Sequence, residues 1–243
     1  MRLPWRRAAG SGGLRTGLRR TDEPLVHAMT RLSCLFLSLL LLSGCAGFRG
    51  GWESIAYVGD TPPVLSGDRP SRTPPEFELP GLKFSVDIDN RLRTHDYQVM
   101  LFFVPVSIDP RNVYTKNVTA GRTRVFVTVV PLKPGFVFRP EQAILQFAGQ
   151  RHAGVAGYEF GRRDAQGRWI EQGSDWQHWP LPAAYALSEP GRRYRLSIDF
   201  AVPVPSPESS DILLDLSGAL KSDSQPPLPP IRFMPLRWDE GYT

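Results

Sequence analysis

Three indoles lie close together late in the chain: Trp169 and the two within Asp175-Trp176-Gln177-His178-Trp179, in a short connection that also contains glycine. An indole face stacks on the C–H groups of a sugar ring, while carboxylate, amide and imidazole neighbours hold its hydroxyls. Trp169, Asp175, Trp176, His178 and Trp179 therefore form a candidate ligand-binding set. The same residues have two plainer uses, because Trp fills cores and anchors loops and is enriched where proteins dock on one another. Packing is the default for an indole, so the ligand reading requires these to be exposed.

Other chemistry finds little support. His95, His152 and His178 are widely spaced and lack ligand spacing toward one another or toward Cys, so no metal site and no cofactor is expected. His95-Asp96 reads as a polar turn between strands, and Asp87 and Asp89 fall on the solvent phase of a strand. Arg162-Arg163 and Arg192-Arg193 read as solvated turns. No nucleophile elbow, phosphate loop or dinucleotide fingerprint occurs. The expectation is a protein that binds and is not an enzyme.

The formal charge of +5 and pI near 9.5 would ordinarily suggest nucleic acid. Seven Arg against Asp22 and Glu23 within residues 1–44 account for the whole excess, and the rest of the chain is balanced. No nucleic-acid partner is expected once that segment is removed. Leu32 to Leu42 is an eleven-residue apolar run behind Arg31. At 1.5 Å per residue it spans about 16 Å, suited to a signal peptide and too short to cross a bilayer. The run ends in Leu42-Ser43-Gly44-Cys45, which resembles the lipobox of bacterial lipoproteins. The resemblance implies cleavage before Cys45 and palmitate-type acylation there, so the partner of the anchor is the lipid bilayer. Ala46-Gly47 lacks the Asp of inner-membrane retention, which implies the periplasmic side of the cell outer membrane. Residues 1–28 are long for such a leader, and a chain starting at Met29 would carry an ordinary one. A mitochondrial-type extension is the alternative, disfavoured because Ser and amphipathic periodicity are sparse and a lipobox has no role there. Cys34 leaves with the leader and Cys45 is consumed by the anchor, so no disulfide is expected.

With 24 Pro and 22 Gly in 243 residues the chain is poorly suited to helix bundles, and all-β is the default. Residues 45–76, rich in Gly and Pro, read as a lipidated Cys followed by a flexible tether with a reach on the order of 30 Å, although Trp52, Ile55, Tyr57 and Val58 could dock on the domain. Residues 77–243 carry the strand signals. Leu82 to Asp89 and Arg124 to Val130 alternate, and Tyr97 to Val106 reads as one central strand ending at an edge. Ala143 to Phe147 and Arg151 to Phe160 flank a hairpin turn. Asp164 to Gly167 reads as another turn, and Asp211 to Leu220 with Ile231 to Trp238 would close the sheet. The segment from Glu189 to Phe200, a turn and then strict alternation from Tyr194, resembles the penultimate strand of immunoglobulin-like sandwiches, where the Tyr bonds back across the corner.

The expected molecule is thus an outer-membrane lipoprotein with an immunoglobulin-like β-sandwich after a signal peptide and tether. Three roles stay open: an adaptor for an envelope protein partner, a glycan-binding module using the Trp cluster, and an envelope enzyme with an unrecognised site.

Overall fold

Period-two alternation runs through most of the chain beyond residue 76, and such runs form strands with one face in the core. The computed structural model describes residues 46–63, 74–100, 104–114, 118–162 and 176–242. The leader, Cys45, the expected turn at 164–167, Trp169 and Asp175 lie outside the described residues.

Among the described residues the strands are β1 (Ala46–Val58), β2 (Glu76–Leu79), β3 (Leu82–Ile88), β4 (Leu92–Met100), β5 (Val104–Asp109), β6 (Val113–Tyr114), β7 (Thr123–Pro131), β8 (Phe136–Phe138), β9 (Ile144–Phe147), β10 (Gln150–Gly161), β11 (Gln177–Pro180), β12 (Tyr185–Leu187), β13 (Tyr194–Phe200), β14 (Leu213–Asp215), β15 (Leu220–Lys221) and β16 (Ile231–Tyr242). Pro140–Gln142 forms a short 3-10 turn. No helix among the described residues is long and apolar enough to cross a membrane, which says nothing of strands.

One antiparallel sheet runs β2-β3-β7-β13-β10-β9-β14-β16-β1-β4-β5, with β11 added to β10 and β6 to β4, and β12-β8-β15 form a small second sheet. The long strand β10 turns the corner. Its first residues, 150–153, pair with β9, and 154–159 pair with β13 after a register shift between Gly154 and Ala156. The sheet curls there, so that Phe84, Val127 and Ile198 of one wing share a core with Leu145, Ile231 and Phe233 of the other. Phe138, Leu187 and Leu220 of the small sheet join the same core. The fold is an all-β sandwich, as the composition predicts.

Two local expectations are met. β9 and β10 form a hairpin whose two turn residues, Ala148 and Gly149, both have positive φ (48° and 72°), the geometry that matches strand twist. Tyr194 is buried at the entry to β13, and its hydroxyl accepts a hydrogen bond from the Glu189 N–H (3.0 Å), closing the corner. Of the immunoglobulin-like expectation this corner is present, and the strand order is the one given above.

Four readings are corrected. Residues 46–58 are not tether, because β1 pairs along its length with β16 and over residues 46–52 with β4. Its glycines signal close approach and not flexibility. A Cβ on Gly47 would strike the Tyr242 ring, one on Gly50 the Asp239 carboxylate, and one on Gly51 the Leu92 carbonyl. The expected docking of Ile55 is real, since it and Ala56 are buried. The run from Tyr97 to Val106 is no central strand, since it is divided between β4 and β5 at the end of the sheet, where Tyr97 and Ile108 are exposed. His95-Asp96 is not a turn but lies within β4, where Asp96 takes the Tyr242 hydroxyl and Arg93. Finally, Asp89, expected on a solvent phase, is buried just past the end of β3, and Ser197 and Asp199 on the polar phase of β13 are fully buried as well.

Candidate binding face

The buried polar phase of β13 shows where a second layer of side chains sits on the outside of the sheet. Strand register puts Ser197 between Tyr158 of β10 and Phe126 of β7, and Asp199 between Ala156 and Arg124. At the rim, β11 sets His178 opposite Phe160. Side chains paired across strands share a face, so Phe126, Tyr158, Phe160, His178 and Arg124 meet there although they come from three separate parts of the sequence.

Arg124 organises this face. Its guanidinium grips Asp199 through two hydrogen bonds (2.6 and 2.9 Å) and lies 5.2 Å from the centre of the Tyr158 ring. Arg122 also reaches Asp199, with Nη1 3.4 Å from Oδ2. A buried carboxylate is tolerable only when paired and hydrogen-bonded in this way. The same carboxylate holds the Arg124 pKa above its ordinary value, chiefly through the hydrogen bonds. Next to it, Arg124 Nη1 is 3.4 Å from His178 Nε2. Burial, and then the Arg124 charge, lower the His178 pKa, with Asp199 pulling the other way. His178 is therefore neutral at pH 7, accepts at Nε2 and carries its proton at Nδ1. That Nδ1 is buried and, among the described residues, has no hydrogen-bond partner.

The aromatic part builds outward from this base. Phe126 meets Phe160 edge-on at 5.0 Å, and Phe160 stacks on His178 at 5.7 Å. Trp176 lies 5.8 Å from Phe160 and is 47% exposed. The guanidinium of Arg162 sits 4.6 Å over the Trp176 ring, with that of Arg195 at 5.9 Å. The result is a half-exposed indole, backed by a phenyl ring and flanked by two cations. Such a surface stacks against flat or C–H-rich groups and donates hydrogen bonds to anionic ones. Beside Arg124 a shallow crevice is lined by Asp89, Val118, Thr119, Arg122 and Val204.

Of the five sequence-predicted residues, Trp176 and His178 come together on this face. Trp179 falls on the opposite phase of β11, paired with Glu159, and is only partly exposed. Arg162 is no solvated turn residue, given its position on Trp176. Arg192 likewise bridges Glu159 (3.2 Å) and Glu189 (2.6 Å). Sequence reasoning missed Phe126, Tyr158, Phe160, Arg124 and Asp199. The available signal was aromatic residues on the outward phase of strands whose other phase was already apolar. Among the described residues no group of three or more His, Cys, Asp or Glu side chains is placed to hold a metal ion. No protein-family model, no curated protein and no solved structure matches the chain.

Proposed function

We propose that the chain is a lipid-anchored protein of the cell envelope that works by binding, with the Trp176 face as its contact surface. One observation carries the reading: the indole of Trp176 is half-exposed yet held by Phe160, Arg162 and Arg195. Trp and Arg are the residue types that dominate binding energy at protein interfaces, and a rigidly backed indole loses little entropy when it is covered. An envelope protein acting as the partner of an adaptor fits best. The lipobox at Leu42-Ser43-Gly44-Cys45 supports an acylated Cys45 and the periplasmic side of the outer membrane.

A glycan is the second reading, favoured by the guanidinium groups around the indole, which would select a sugar bearing carboxylate or phosphate. Trp176→Ala separates both readings from a packing role. A buried Trp costs about 3–5 kcal/mol on truncation, whereas this variant is expected to melt within a few degrees of wild type. Crosslinking in intact cells should lose the partner captured by wild type, or titration with lipopolysaccharide oligosaccharides should lose its fluorescence response. A large drop in melting temperature with binding intact would sink the proposal.

A further inference from the structure

The far end of the sheet, where β1, β16, β4 and β5 lie side by side, has two unlike faces. On one, Arg93 bridges Asp96 (2.8 Å) and Asp109 (2.9 Å), Tyr242 donates its hydroxyl to Asp96, and Arg49 reaches Glu240 (3.3 Å). That face is closed by its own ion pairs. On the other, register sets Phe48 against Tyr97 and Tyr97 against Ile108, one apolar row across three strands. Their exposures are 54%, 39% and 58%. Two residues further along β1, at the level of Gly50, the same face turns polar, with His95 3.5 Å from Asp239.

We propose that this apolar row rests on the lipid bilayer, with the sheet end lying face-down on the membrane surface. The inference builds on the reading of Cys45 as the acylated residue, and what singles out lipid as the occupant is the position of that residue in the chain. Cys45 immediately precedes β1, and Phe48 follows it by three residues. At about 3.3 Å per strand residue, Phe48 lies about 10 Å from the point where the acyl chains enter the membrane, with Tyr97 and Ile108 one and two strands further across at about 4.8 Å each. A face held that close to the anchor is within reach of the interface, where apolar faces seat about 5–10 Å deep. Phe and Ile supply apolar area, and Tyr suits the boundary between acyl chains and headgroups. The ion-paired face is then turned to water, and the polar pair of His95 and Asp239 falls further from the anchor. An upright arrangement would lift the row out of the interface and leave three large side chains in water.

Ile108→Cys and Ser107→Cys test this in the full-length protein. The two positions are adjacent on β5 and so point to opposite faces. Each becomes the sole free thiol of a chain whose Cys34 has left with the leader and whose Cys45 is acylated. Each variant is labelled with an environment-sensitive fluorophore and reconstituted in phosphatidylethanolamine–phosphatidylglycerol vesicles containing a doxyl-quencher lipid. The expected result is a blue-shifted, several-fold quenched signal at position 108 and an unquenched one at 107. Quenching of neither, or of both equally, would overturn the face-down arrangement. A blue shift at 108 without quenching would mean that protein, such as a second copy, covers the row, and would overturn it as well. Intact mass of the same preparation reads acylation separately. An unmodified Cys45 would overturn the anchor reading and this inference together, whereas an acylated Cys45 with an unquenched position 108 removes only the inference.

Discussion

His178 shows how burial, together with a neighbouring charge, shifts a protonation equilibrium. Its folded pKa is lowered while the unfolded chain keeps the ordinary value near 6.5. As pH falls through about 6.5 the unfolded state takes up a proton that the folded state refuses, so stability is present above that value and declines below it. Between about pH 7.5 and about pH 5 the wild-type domain is expected to lose more stability than His178→Asn, which has no such proton to exclude. Parallel urea melts at the two pH values measure the difference, and an equal loss in both proteins would mean that His178 titrates freely. The residue itself was legible in the sequence because it sits among indoles. Its partners were not, since Arg124 is 54 positions away and Asp199 lies on a strand phase that alternation alone assigns to solvent. Period two reports which residues share a face, and only the side chains of neighbouring strands decide whether that face is wet.

At the scale of elements, the same distinction separates the strands that could be read from those that could not. β3, β7 and β13 each bury one apolar phase, so the sequence alone places them. β1 contains Gly47, Gly50 and Gly51, and composition assigns it to linker because glycine's lack of a side chain means freedom in one setting and close packing in another. The two meanings can be told apart by substitution. Gly51→Ala would drive a Cβ into the Leu92 carbonyl on β4, and overpacking of this kind costs about 1–3 kcal/mol. Gly241→Ala on the neighbouring β16 would meet the Phe48 ring only at 3.7 Å, an ordinary contact, and is expected to change stability by about 0.5 kcal/mol or less. Chemical denaturation of the two variants measures the gap. If Gly51→Ala behaves like Gly241→Ala, β1 is a loose segment after all.

For the whole molecule, the most extended pairing joins the start of the described chain to its end, with Gly47 opposite Tyr242 and Val58 opposite Ile231. Removing residues 231–243 would strip β1 and β14 of a shared neighbour. Such a truncated chain is expected to show no cooperative melt and to be cut rapidly by protease, whereas a retained sharp transition would mean that the remaining wing folds alone. This pairing also sets an order of events during synthesis. Contacts between distant parts of a chain form late, because the loop between them must first be closed. A chain that emerges from its N-terminus holds β1 without the β16 side of its ladder until residues 231–242 are available. The fold thus carries its own delay, a seam that is the last to be sewn.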